Sequence, residues 1–150
     1  MLTTKDRSYN MDFEDIVSFL ETNHRGVIST KRPDGAMHSS IVVCGAYKGN
    51  AAFVSVYPNS QKIRNLRRDP NCTVLAVAED WRSYVTVEGK ATLLDYVNTS
   101  PDTMRLMLRE AYMSCSSTPH PNWEEFDEAM TKQNAVIVLV DPHKIYGLLR

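Results

Sequence analysis

The residues best suited to chemistry in this sequence form a basic segment that follows an apolar run and a polar elbow at residues 54–60. Ser60 is a typical N-cap residue, and a helix over residues 61–68 would leave the backbone N–H groups of its first turn free for an anion. Lys62 lies in that first turn, and the segment also carries three arginines: Arg64, Arg67 and Arg68. The segment therefore predicts a phosphate-binding elbow, and an amphipathic turn with solvated cations is the alternative.

The overall charge gives no reason to expect a polyanionic partner. The sequence has 150 residues, 43% of them hydrophobic, which suits one compact domain spanning residues 1–150. Seventeen basic and 18 acidic residues leave a net charge of −1, so no global field attracts nucleic acid or an anionic membrane. Any anion site must therefore be local.

The cysteines and the first residues indicate the compartment. Three widely spaced cysteines without a Cys-x-x-Cys pair argue against a disulfide framework and a structural zinc site. The first ten residues contain charged side chains and no apolar run, so neither a signal peptide nor a membrane span is expected. The sequence predicts a soluble cytoplasmic protein with no metal site.

The elements that must position the elbow follow from apolar spacing and turn residues. Helices are predicted after four capping residues: Asp12, Ser60, Ser100 and Asn122. Strands are predicted at residues 26–30, 36–47, 51–57, 72–78, 84–94, 135–140 and 145–149. The fold class is therefore α+β, mainly β, with six or seven antiparallel strands in a small barrel and helices flanking it.

Five motifs in order along the chain carry a family resemblance. They are Gly26-Val27-Ile28-Ser29-Thr30 with Pro33-Asp34-Gly35, Lys62-x-Arg64-Asn65-Leu66-Arg67-Arg68-Asp69-Pro70, Tyr84-x-x-Val87-Glu88-Gly89-x-Ala91, Trp123-x-x-Phe126-x-x-Ala129-Met130, and Ile145-Tyr146-Gly147-Leu148. With these motifs the chain resembles the split β-barrel flavin and deazaflavin oxidoreductases related to pyridoxamine 5′-phosphate oxidase. More narrowly, it resembles the subgroup that uses the deazaflavin coenzyme F420.

The resemblance implies a homodimer with a cofactor in each interface groove. It implies that Ser55, Val56, Tyr57, Pro58 and Asn59 line the ring and ribityl chain, and that Gln61 and Lys62 hold the phosphate. Ser60 and Asn65 complete this segment of the cofactor-binding set. The resemblance also places His38, Ser39 and Ser40 on a strand facing the ring, and Trp81 and Arg82 at further cofactor contacts.

The activity implied by the resemblance is hydride transfer between reduced F420 and a planar, electron-poor organic acceptor. Such chemistry depends on the positioning of two π-systems and needs no protein nucleophile. The sequence accordingly lacks the hydrolase, zinc-protease, P-loop and dinucleotide-binding motifs. No catalytic residue is assigned, since a proton donor could be His38, Tyr57 or Tyr84.

One departure from the family pattern leaves the cofactor open. The family often has an arginine two residues before the lysine, where this chain has Ser60. An FMN-dependent oxidoreductase on the same barrel is one alternative, because FMN shares the ring, ribityl chain and phosphate. A non-catalytic protein that binds a deazaflavin, haem or linear tetrapyrrole is the other.

Overall fold

The computed structural model describes residues 11–150. Within that range the strands are β1 (Arg25–Lys31), β2 (Met37–Tyr47), β3 (Asn50–Ser55), β4 (Asn71–Val77), β5 (Tyr84–Leu94) and β6 (Val136–Leu148). The helices are α1 (Phe13–Thr22), α2 (Gln61–Arg68), α3 (Pro101–Ser116) and α4 (Trp123–Gln133). The predicted helices and most strands are therefore confirmed, with α2 at the predicted residues.

The six strands form a closed antiparallel barrel in the order β1-β2-β3-β6-β5-β4, with β4 pairing back to β1. This confirms the predicted fold class. One detail of the prediction is wrong: residues 135–140 and 145–149 belong to one 13-residue strand, β6. Asp141 and His143 are exposed, and Pro142 lies where the register with β5 shifts beside Gly89. Since a bulge tolerates proline, the polar interruption does not end the strand.

Two hydrophobic clusters fill the molecule. The first lies inside the barrel and is closed at one end by Ile16 and Leu20 of α1, so that helix plugs the core. The second lies outside the barrel, where Met104, Leu108 and Phe126 of α3 and α4 pack on Ile137. Helices α3 and α4 therefore form an outer layer over part of the barrel wall.

Gly45 allows this layer to approach β2 closely. A side-chain carbon at Gly45 would collide with the backbone carbonyl of Ser114 in α3. The absence of a side chain therefore brings the C-terminal turns of α3 directly against β2. No helix within residues 11–150 is both long enough and apolar enough to cross a membrane.

Candidate functional site

The seam between β2 and β3, called the open seam below, is hydrogen-bonded over only part of its length. Their ladder ends at the pair Cys44 and Phe53, although β3 continues to pair with β6 as far as Ser55. Over residues 37–43, β2 pairs with β1 and has no β3 partner in the described chain. One edge of β2 is thus left without a strand partner within residues 11–150, beside the point where the chain turns into α2.

Hydrogen bonds made by Ser55 and Tyr57 shape the elbow, defined here as residues 55–62. The Tyr57 backbone N–H donates to the Ser55 hydroxyl (3.3 Å), and that hydroxyl donates to the Tyr57 carbonyl (3.2 Å). The Ser60 N–H donates to the same carbonyl (3.1 Å). The chain therefore reverses tightly between β3 and the first turn of α2.

The three arginines of α2 already have partners within the protein. Arg64 donates to the Gln61 side-chain carbonyl (2.7 Å), Arg67 pairs with Asp95 (3.0 Å), and Arg68 donates to the backbone carbonyl of Lys31. In the described part of the chain, the Lys62 ammonium has no such partner, and its partial burial lowers its pKa from 10.5. Lys62 is therefore the cation of the elbow that is free of hydrogen bonds among the described residues, while Arg64 and Arg68 of the same helix bond to neutral groups and keep their charge.

Ser60 occupies the N-cap position, but its side chain does not cap α2. Its carbonyl accepts from the Arg64 N–H (3.0 Å), whereas its hydroxyl makes no capping hydrogen bond. This corrects the predicted role of the Ser60 side chain. The Ser60 hydroxyl is instead a buried oxygen with no hydrogen-bond partner among the described residues.

Two more predicted site residues carry buried polar atoms of the same kind. Nδ1 of His38 and the hydroxyl of Ser40 are buried and have no hydrogen-bond partner within residues 11–150. The two side chains share one face of β2 because residues two apart in a strand point the same way. The intervening Ser39 is exposed and bonds to the Ser29 hydroxyl (2.9 Å). A buried polar group left unpaired costs about 1–3 kcal/mol, so these atoms require a partner from outside the described residues, such as water or a polar ligand.

Asn65 connects α2 to the barrel. It is fully buried, donates from its amide to Thr30 of β1 (3.0 Å) and accepts from the Gln61 amide (2.7 Å). Thr30 in turn pairs with His38 across the β1–β2 ladder. The sequence prediction placed Asn65 among the cofactor contacts, whereas the structure places it beneath the elbow, where it positions Gln61 and α2.

The remaining predicted residues separate into two places. Tyr57 is 69% exposed, and Val56, Pro58 and Asn59 also have solvent-accessible surface on the elbow. Trp81 and Arg82 are exposed in the β4–β5 turn. There Trp81 and Gly26 line an apolar groove of about 270 Å³. Gly26 lies near the start of β1, whereas Thr30 lies near its other end. Within one chain the structure does not bring Trp81 and Arg82 to the elbow.

A larger cavity of about 460 Å³ lies between the open seam and the outer helices. Its walls are Val43, Val54, Val56, Tyr112, Cys115, Ser116, His120, Glu125, Phe126, Ala129 and Met130. Sequence reasoning placed only Val56 in a site, because the other residues come from β2, β3, α3, α4 and the α3–α4 loop. No local spacing connects residues so far apart in the chain.

The cavity contains no activated nucleophile. The Cys115 thiol donates to the Ala52 carbonyl (3.4 Å), and burial raises its pKa to about 12. It is therefore a protonated thiol at neutral pH. In the described range of the chain, no three His, Cys, Asp or Glu side chains converge as metal ligands.

Comparison with known proteins agrees with this architecture. Residues 13–148 match the family model described as pyridoxamine 5′-phosphate oxidase. A conserved hypothetical protein from Mycobacterium tuberculosis is similar over 93% of this chain and 86% of its own, with 22% identity and a TM-score of 0.72.

Two further solved structures are named for cofactors. A protein called an F420 reductase matches with 23% identity and a TM-score of 0.57, over 85% of this chain and 93% of its own. A pyridoxamine 5′-phosphate oxidase-related, FMN-binding protein from Nostoc punctiforme matches with 13% identity and a TM-score of 0.61, over 91% and 80%. At these identities the matches establish a shared fold.

Proposed function

The chain belongs to the pyridoxamine 5′-phosphate oxidase family of largely flavin-type oxidoreductases, and we propose that it is an F420-dependent member. Its reaction would be hydride transfer between reduced F420 and a planar, electron-poor organic acceptor. The compared structures include proteins named for F420 and for FMN, so the choice of cofactor rests on the anion site of this chain.

The observation that carries the proposal is that Lys62 is the one basic residue of the elbow, residues 55–62, and that its ammonium has no partner among the described residues. The phosphate of FMN is a monoester, whose second pKa of about 6 gives it nearly two negative charges at neutral pH. The phosphate of F420 is a diester and carries one. Lys62 without a second cation at position 60 therefore matches the charge of the F420 phosphate better than that of FMN.

The local electrostatics of α2 support an anion at this position. A lysine in the first turn opposes the helix dipole, and that turn contains no acidic residue to compensate. Lys62 is also partly buried, which further disfavours its charged form. A bound phosphate would offset both costs, while the first-turn N–H groups and the Ser60 hydroxyl would bond its oxygens.

The unpaired polar atoms on β2 support a cofactor with polar ring edges. His38 and Ser40 offer buried hydrogen-bonding atoms beside the open seam. When bound, the deazaflavin would supply hydride chemistry at its C5 atom. The protein's part is to anchor the phosphate through Lys62, to hold the elbow through Ser55, and to keep water from the buried side chains of β2.

We also propose that the protein works as a homodimer. Three large apolar side chains that line one groove, two from β2 and one from the β4–β5 turn, are strongly exposed: Ile41 (83%), Val43 (61%) and Trp81 (83%). A second copy packed on this face would remove them from water. It would also give Trp81 and Arg82 a route to a cofactor on the other subunit, which they do not have within one chain.

A titration of the purified protein with F420 and with FMN, at one ionic strength, tests the proposal. F420 is expected to bind with a micromolar or lower dissociation constant and more tightly than FMN. Lys62→Ala should weaken F420 binding by about 1–3 kcal/mol, since it removes a charge-assisted contact. Arg67→Ala is the matched control, because it removes a cation of α2 that is paired with Asp95. Preference for FMN, or equal F420 affinity in both variants, would refute the proposed anion site.

A further inference from the structure

We infer that the 460 Å³ cavity binds a compact, uncharged, apolar molecule that presents a hydrogen-bond acceptor atom to the Nε2–H group of His120. The inference rests on the proposed function, because it takes this molecule to be the hydride acceptor. In the reaction, the acceptor would gain a hydride from reduced F420 and a proton from water, so it is reduced by two electrons as the cofactor is oxidised.

The size and lining of the cavity fit such a molecule. Its volume falls within the range of roughly 300–1,000 Å³ that is typical of small-molecule sites. The seam contributes Val43, Val54 and Val56, and the helices contribute Tyr112, Phe126 and Met130. Val56 also belongs to the elbow, so the cavity adjoins the segment proposed to bind the cofactor.

His120 provides a hydrogen-bond donor of defined identity. Its Nδ1 accepts the Asn122 backbone N–H (3.0 Å), so the proton of the neutral ring lies on Nε2. An edge contact with Tyr112 and a tilted contact with Phe126, at centroid distances of 5.5 and 5.4 Å, hold the ring in place. No described residue accepts from Nε2. The donor is therefore available to an oxygen or nitrogen atom of a ligand.

The charge of the lining selects against ionic ligands. Glu125 carries the one formal charge among the lining residues when His120 is neutral. A carboxylate beside an apolar cavity repels an anion, and the screened attraction of the exposed Glu125 does not repay the desolvation of a cation that enters the cavity. Quinones, unsaturated ketones and nitroaromatic compounds combine an apolar body with an uncharged acceptor atom, so they form the expected ligand class.

The test uses two probes of similar shape, menadione and 2-methylnaphthalene, of which only menadione has carbonyl acceptors. Binding is followed by quenching of Trp123 fluorescence in a Trp81→Phe background, where Trp123 is the remaining tryptophan. Its ring lies 5.3 Å from Phe126 and 6.0 Å from His120. The unmodified cavity should bind menadione roughly threefold to tenfold more tightly, as one hydrogen bond provides.

Two variants and one control locate the effect. His120→Phe keeps an aromatic ring but removes the donor, so it should abolish the preference for menadione and leave 2-methylnaphthalene affinity unchanged. Ala129→Phe fills the cavity and should weaken both probes at least tenfold, whereas Glu128→Phe on the exposed side of α4 should leave both unchanged. Equal affinity for the two probes before substitution, or unchanged binding in Ala129→Phe, would overturn the inference.

An F420 titration of the same cavity substitutions, made in the protein that keeps Trp81, separates this inference from the proposed function. His120→Phe and Ala129→Phe should leave F420 affinity unchanged, which supports a cavity distinct from the cofactor groove. Loss of F420 binding in Ala129→Phe would overturn the assignment of the cavity to an acceptor, because the cavity would then hold the cofactor. If the unsubstituted protein fails to bind F420, the proposed function fails, and with it the assignment of the ligand as hydride acceptor.

Discussion

The Asn65 amide of α2 donates a 3.0 Å hydrogen bond to the Thr30 hydroxyl of β1, and both side chains are fully buried. This bond fixes the basic helix to the barrel wall next to the strand that carries His38. Asn65→Leu would leave the Thr30 hydroxyl and the Gln61 amide without their partner. We expect the free energy of unfolding to fall by about 1–3 kcal/mol, measured by urea denaturation.

A double-mutant cycle identifies the bond as the cause. Thr30→Val removes the other partner with little change of volume, and the double variant should cost less than the sum of the two single variants. Additive effects would show that the Asn65–Thr30 contact does not contribute to stability.

Lys62 should lower the stability of the cofactor-free protein. Burial lowers its pKa in the folded state from 10.5, so folding disfavours its charged form. This penalty is fully present below the folded-state pKa and disappears as the pH rises through 10.5, since both states are then neutral. Lys62→Met is therefore expected to raise the melting temperature at pH 7, with the gain fading at alkaline pH.

Binding of F420 should make the wild-type protein more stable than Lys62→Met, the reverse of their order without cofactor. At saturating F420, the wild-type protein gains stability from the Lys62–phosphate contact, and Lys62→Met gains less. Lys62→Arg keeps the charge and serves as the control. A Lys62→Met protein that is more stable than wild type both with and without F420 would contradict a phosphate-binding role for Lys62.

Ser60 should control the choice between F420 and FMN. Ser60→Arg restores the second cation often found in the family and adds a charge-assisted contact to phosphate. Because the FMN phosphate carries the larger charge, we expect FMN affinity to rise about tenfold and F420 affinity to rise less. Isothermal titration of both cofactors against wild type and variant measures the two changes. Ser60→Gln, a neutral substitution of comparable reach, should leave the ratio of the two affinities unchanged.

Much of the fold could be predicted because its signals are local. Helix α2 lies between Ser60 and Asp69 as predicted, and the Asp69-Pro70 pair accounts for its C-terminal end. The continuity of β6 could not be predicted from local signals, because an Asp-Pro pair is typical of a turn. Here Asp141 and Pro142 remain in the strand, since the register shift in the pairing with β5 accommodates the proline.

The site was predictable only in part, for a related reason. Motif resemblance located the elbow, where neighbouring residues act together. The 460 Å³ cavity instead combines Val43 with Met130, which are brought together by the packing of α3 and α4 on the barrel. The burial of Asn65 and the unpaired hydroxyl of Ser60 also depend on how α2 packs on β1. That packing cannot be predicted from the spacing of residues in the sequence.

The exposed apolar face gives the remaining prediction, which concerns assembly. Trp81→Glu places a charge among Ile41 and Val43, whose burial is expected to drive dimer formation. We expect light scattering to show a dimer for the wild type and a monomer for Trp81→Glu. Val97→Glu is the control, because Val97 is an apolar residue of 96% exposure outside this face and its replacement should leave the dimer intact.

The same variant tests whether the interface completes the cofactor site. If Trp81 contributes to the site of the opposite subunit, Trp81→Glu should weaken F420 binding together with dimerisation, while the anion-binding elbow on each chain stays intact. Residual F420 affinity should then still depend on Lys62. A monomeric Trp81→Glu protein with wild-type F420 affinity would show that each chain binds the cofactor alone, and a dimeric one would place the interface elsewhere on the barrel.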